Sequence, residues 1–305
     1  MFRTKIYTAV YYASIAALLY FLVSSGSVGF SGVRLNGYFF ISLAFLSAGF
    51  FTYPLVLDLV LRYQGITSNY LSCFTALGKT VFSKYIPGKA AMVYAIAYNL
   101  NKNENSTGIA RLSYNVLVFQ VLIIISGLLT GLFSVIRMGN IPVAWKVGSA
   151  VMIIISLYIS TSEIFFSKIS IYLSKRLGKD IKLPHFKKKN VLLILFISAA
   201  FWILWGTGMY FLVLSSEYNV AGSHSLIFLF PFSVCVGIVA IIAPGGIGIR
   251  EGVLAMIIVS LGNPVKTAAE ISVLSRVWFV TGEIILFLIS HIVSYIYRKR
   301  KQSCA

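Results

Sequence analysis

Acidic residues are scarce in this chain: eight Asp and Glu stand against 26 Lys and Arg over 305 residues, and charged residues of both signs make up only 11%. A water-facing globular surface needs far more, since soluble domains average about 25% charged residues. Long polar segments are missing as well. The two polar stretches, Asn99 to Arg111 and Lys168 to Asn190, fall short of the roughly 50 residues an independent domain needs. Cysteine is limited to Cys73, Cys235 and Cys304, with no C-x-x-C spacing and an odd count, so neither a disulfide framework nor a cysteine metal site is indicated. His185, His224 and His291 are too scattered for a metal set. No Ser-His-Asp arrangement with motif context, phosphate-binding lysine loop or paired-aspartate motif is present, so no catalytic centre and no cofactor site is visible.

What is present is apolar. Hydrophobic residues make up 58% of the chain and fall in runs at Ile6 to Val23, Tyr38 to Leu61, Leu112 to Val135, Val143 to Phe166, Val191 to Leu214, Leu226 to Ala243 and Ile271 to Tyr297. About 20 apolar residues span a bilayer core, so the runs predict an all-α, polytopic transmembrane helix bundle forming one integral-membrane domain over residues 1–305. Abundant Tyr and Phe suit membrane interfaces and do not by themselves imply sugar stacking. Met1 to Lys5, the first run and Ser24-Ser25-Gly26 have the outline of a secretory signal. The run exceeds the usual core of about 7 to 15 residues, which predicts a retained first helix.

A net charge of +18 would suggest nucleic acid in a soluble protein. Here the basic residues cluster between the apolar runs, where they set orientation. With the N-terminus inside, 20 of the 26 fall on cytoplasmic segments, including the basic loop 168–190 and the tail 298–305; Arg34, Arg137, Lys146 and Lys266 face out. Both termini are therefore expected in the cytoplasm of a cytoplasmic membrane, with an even number of spans and no nucleic-acid partner. The sequon at Asn105 would then be silent. The Lys187-Lys188-Lys189 cluster acts either as an orientation signal or as an attractor of anionic lipid.

Two places break the pattern. Tyr70 to Tyr98 is interrupted by Lys79, Lys84, Pro87, Gly88 and Lys89. It reads as two short helices parted at Tyr85-Ile86-Pro87-Gly88, since proline suits a helix start and its predecessor avoids helix. The pair forms either a re-entrant or interfacial hairpin opening to the cytoplasm, or a surface loop with an amphipathic helix. Later, Ala243-Pro-Gly-Gly-Ile-Gly-Ile-Arg-Glu-Gly252 separates two apolar runs. Backbone freed there cannot face lipid and must sit in protein or line a wet cavity. The segment from Ile247 to the turn at Gly262-Asn263-Pro264 holds about 22 Å of helix at 1.5 Å per residue, too short to cross alone. Counting it as a short broken helix gives about eight spans.

The second break concentrates the chemistry. Gly245, Gly246 and Gly248 let backbone amides approach a ligand, and the following helix offers its N-terminal dipole to an anion. Arg250 adds a fork suited to phosphate. Arg276 and Glu283 on the last helix lie seven residues apart, so each needs another partner. Glu283 is the carboxylate expected to pair with Arg250 or to hold a proton; Glu251 would either brace the neighbours of Arg250 or pair with a basic residue on another helix. The competing reading makes the glycines helix-packing devices and the charges internal ion pairs.

The motifs Lys84-Tyr85-Ile86-Pro87-Gly88-Lys89 and Pro244-Gly245-Gly246-Ile247-Gly248-Ile249-Arg250-Glu251-Gly252 resemble those of the integral-membrane domain of bacterial lysylphosphatidylglycerol synthases and of related stand-alone, flippase-like proteins. The resemblance covers nearly the whole chain, and Lys84, Lys89, Arg250 and Glu251 match its motifs. It implies lipid translocation without the synthase activity, because the chain carries no aminoacyl-transfer domain. The expected function is thus a lipid translocase that takes an anionic phospholipid or polyprenyl-phosphate-linked lipid, with Arg250, Arg276, Gly245, Gly246, Gly248, Lys84 and Lys89 at the phosphate. A membrane partner or subunit of a glycosyltransferase or lipid-modifying enzyme, and a small-solute transporter, are the alternatives.

Overall fold

The computed structural model describes residues 34–85, 90–104, 108–137, 143–162, 167–168, 171–172, 187–240 and 246–303. These form nine α-helices and no strand. α1 is Gly37–Tyr63, α2 is Tyr70–Thr80 extended by a 3-10 turn at Val81–Tyr85, α3 is Ala90–Glu104, α4 is Ile109–Arg137 and α5 is Val143–Thr161. α6 is Lys188–Ser215, α7 is Leu226–Val239, α8 is Ile249–Ser260 and α9 is Val265–Ser303.

Four of these, α1, α4, α6 and α9, are long and apolar enough to cross a membrane. Their outer faces carry exposed apolar side chains such as Phe40, Phe133, Phe196 and Leu288, which a water-soluble monomer would seldom gather in such number. Together these features point to a membrane protein. Of the eight expected spans, four are thus present at full length among the described residues. The run Ile6 to Val23 lies outside those residues. The run Val143 to Phe166 is helical over Val143–Thr161. Residues 298–303 of the expected basic tail continue α9 as helix.

The long helices pack by close approach. Asn36 caps α1, its side chain accepting the Phe39 N–H at 3.2 Å, and Asn69 caps α2 by accepting the Ser72 N–H at 2.8 Å, as short polar side chains do at helix starts. α1 meets α6 where Gly49 leaves room for the Trp205 indole. The Nε1–H of Trp205 donates to the Leu46 carbonyl at 3.2 Å, and that of Trp202 to the Ile123 carbonyl at 2.9 Å. Small residues at such crossings let helices gain contact area where lipid supplies no hydrophobic drive.

Hydrogen bonds between connections define two ends of the bundle. At one end Arg34 N–H donates to Ser215 O at 3.1 Å and the Arg34 guanidinium meets Glu217 at 3.1 Å. There too the Asn263 side chain exchanges hydrogen bonds with the backbone of Ala221, at 2.8 and 3.1 Å. The start of α1, the end of α6 and the α8–α9 turn therefore lie together. At the opposite end Arg111 donates to Gln64 O at 2.8 Å, joining the end of α1 to the start of α4.

Two helix pairs enter the bundle without crossing it. α2 leaves the Gln64 end and runs antiparallel to α9: Lys79 bonds Ser294, Gly78 abuts Ser290, and Lys84 reaches Glu283 deeper in. α3 then leads back to the start of α4. Nearly every residue from Ser72 to Tyr85 is buried, so this segment is an interior element and not a surface loop; residues 86–89 lie outside the described ones. α7 enters from the Arg34 end. The run Leu226 to Ala243 was expected to span, but its helix stops at Val239 after 14 residues, about 21 Å. α8 begins beside that stop, with Arg250 against Gly237, and returns to Asn263 at the end where α7 began. The inner ends of the two pairs meet halfway along α9.

Candidate functional site

At that meeting point five charged side chains converge. Arg250, Arg276, Glu251 and Glu283 are 3%, 2%, 8% and 0% exposed. The fifth, Lys84, comes from the 3-10 turn after α2. Glu283 receives two partners: the Lys84 ammonium on one oxygen, and the Tyr85 hydroxyl, which donates to the other at 2.9 Å. Glu251 serves two tasks. One oxygen accepts the Gly248 N–H at 2.6 Å, and the other lies 3.6 Å from an Arg276 nitrogen. Isolated buried charges are prohibitively costly, and pairing is what makes these tolerable.

Arg250 is different. Its guanidinium lies between two aromatic rings, 5.0 Å from the centre of Phe230 and 4.5 Å from that of Phe279, an arrangement that favours a cation electrostatically. Yet its Nε and Nη2 find no hydrogen-bond partner. Those two nitrogens share one edge of the planar group, the edge that accepts two oxygens of one anion. A buried donor without an acceptor is unusual enough to require an explanation.

Arg250 borders a partly open cavity of about 140 Å³, room for on the order of ten waters. Lys84, Arg250 and Arg276 all line it, as does Gly246; the carboxylates of Glu251 and Glu283 stand behind their cations and do not. The remaining wall is mostly apolar and aromatic, including Phe50, Tyr53, Ile123, Trp202, Trp205 and Leu286. The cavity is therefore amphiphilic, with three cationic side chains set into an otherwise greasy surface.

Local backbone puts Arg250 in place. Gly246 and Gly248 adopt φ of +70° and +83°, values that side-chain-bearing residues rarely accept. At Gly246 a Cβ would also stand 2.8 Å from the Gly237 carbonyl oxygen, and one on Gly237 would stand 2.8 Å from the Arg250 Cβ. Glycine on both sides lets the start of α8 press against the end of α7, which carries Arg250 inward.

Lys84, Arg250, Arg276, Glu251, Glu283 and Gly246 are thus brought together from sequence positions up to 199 apart. Gly248 is exposed and lends its amide to Glu251, so one donor of the α8 N-terminus is already engaged by the helix's own carboxylate. Lys89 and Gly245 lie outside the described residues. Glu283 pairs with Lys84 in place of the expected Arg250, because the turn after α2 places the ammonium directly over it. Three participants had no assigned role in the sequence: Tyr85, Phe230 and Phe279. Phe279 follows Arg276 by three residues, a spacing that shares a helix face; nothing comparable marks Phe230. Compared with protein-family models and with curated proteins, the chain matches none.

Proposed function

We propose that the protein binds a phosphate-bearing anionic lipid in this cavity and helps it cross the membrane. The observation that carries the reading is the Arg250 guanidinium: buried, without a hydrogen-bond partner at Nε and Nη2, and belonging to a residue that lines a cavity whose other walls suit hydrocarbon. A phosphate would take the free edge, with Lys84 and Arg276 adding charge. Acyl or prenyl chains would lie along the Trp202, Trp205 and Ile123 wall.

The topology fits a transfer role. We place the Gln64 end, with Arg62, Arg111 and the Lys187 cluster, in the cytoplasm, and the Arg34 end outside, as the bias of basic residues favours. α2–α3 is then a re-entrant pair from the cytoplasm and α7–α8 one from outside, and the anion site lies where they meet near mid-membrane. Broken elements meeting at the midplane are a recurrent way of building a site reachable from either side. In this arrangement the membrane is the cytoplasmic one, both termini are inside, and the α7–α8 pair stands where Leu226 to Ala243 was expected to cross in full.

Reconstitution tests the reading. In vesicles containing a fluorescent short-chain anionic phospholipid, wild-type protein should accelerate its exchange between leaflets, read by quenching of the outer leaflet. Arg250→Gln should return the rate to that of empty vesicles. Equal rates for wild type and empty vesicles, with the protein correctly inserted, would refute translocation of that lipid class.

A further inference from the structure

We infer that the cavity selects a head group bearing one negative charge, a phosphodiester, over a lipid diphosphate. The inference rests on the lipid reading above and narrows which lipid the site takes.

The argument is one of charge and of donors. Among the described residues three cations line the cavity and two carboxylates stand behind them, each engaged with one cation: Glu283 with Lys84, and Glu251 with Arg276. Counted over these residues, the resting site carries one uncompensated positive charge, and Nε and Nη2 of Arg250 are donors without an acceptor. A monoanion closes the balance. A diphosphate leaves extra negative charge among aromatic and aliphatic side chains, where the low dielectric makes it expensive. The donor count agrees. Nε and Nη2 of Arg250 offer two parallel N–H groups on one edge, and a phosphodiester presents two non-ester oxygens to match them. Further phosphate oxygens would have to share Lys84 or Arg276 with its carboxylate, which weakens the compensation of buried Glu283 or Glu251.

The test uses the purified full-length chain in detergent and three probes titrated by calorimetry. They are a short-chain phosphatidylglycerol, geranyl diphosphate, and dimethyl phosphate, which has the phosphodiester charge without chains. We expect the phosphodiester lipid to bind about tenfold or more tightly over the diphosphate, since like-charge excess in a desolvated site is strongly disfavoured. Glu251→Gln, which keeps an acceptor for the Gly248 N–H but leaves the site more positive, should narrow or reverse that preference, and Glu283→Gln should do the same. Diphosphate binding as tightly as phosphodiester in the wild type would overturn the charge rule. So would an unchanged preference in both folded variants. If the variants do not fold, the wild-type ratio alone decides. Dimethyl phosphate binding as well as the lipid would support the charge rule while refuting the lipid reading, and binding of none of the three would refute both.

Discussion

Arg250 and Glu283 show how differently two buried charges can be accommodated within one site. Glu283 is saturated by Lys84 and Tyr85, so its role is to fix the lysine at the cavity wall. Lys84→Met should lower stability by about 3–5 kcal/mol, the usual result of orphaning one member of a buried pair. The double variant Lys84→Met/Glu283→Leu should recover most of that loss, and thermal unfolding in detergent measures both. Tyr85→Phe removes a single hydrogen bond and should cost about 1–3 kcal/mol. Arg250 has the opposite character, with its ring contacts made and its polar edge buried without a hydrogen-bond partner. Arg250→Lys keeps the charge but loses the paired donors and planar stacking. We therefore expect its lipid affinity to fall by about tenfold or more, equivalent to about 1.4 kcal/mol. Wild-type affinity in that variant would mean that charge alone suffices.

The elements that matter most are the two short pairs, and they divide what the sequence discloses from what it hides. The long helices were readable as apolar runs because each is a local, contiguous signal. The interrupted α2–α3 stretch was readable from Pro87 and its lysines. The end of α7 was not: Leu226 to Ala243 is apolar throughout, and hydropathy cannot tell a helix that crosses from one that stops at Val239 and gives way to α8. Likewise, Arg250 and Arg276 could be singled out as charges in apolar surroundings, but the Lys84–Glu283 pairing depends on the packing of α2 against α9, which spacing cannot supply. Glycine positions test the α7–α8 contact directly. Gly237→Ala places a Cβ 2.8 Å from that of Arg250 and should reduce lipid binding and stability together. Gly252→Ala, one turn into the same neighbourhood with open space around it, should be neutral or stabilising by up to about 1 kcal/mol. Similar losses from both would show that the contact is not what positions Arg250.

At the scale of the whole molecule, the two ends differ in charge. Arg34, paired with Glu217, stands at one end; Arg62, Arg111 and Lys187 to Lys189 stand at or near the other. This asymmetry is what the topology proposal uses. Single cysteines at Arg34 and at Lys189, in a background lacking Cys304, should react oppositely with an impermeant maleimide on intact cells. Arg34→Cys should label directly and Lys189→Cys only after the membrane is opened. Labelling in the reverse order would invert the molecule and the direction each short pair faces.

The central claim is that Arg250 holds a lipid anion, and lipid mass spectrometry on protein extracted in native-membrane discs tests it most directly. Wild-type protein should carry one anionic phosphate-bearing lipid enriched over the surrounding membrane, and Arg250→Gln, extracted in the same way and equally well folded, should lose that enrichment. The same bulk lipid composition around both proteins would contradict the account and leave Arg250 as a structural residue.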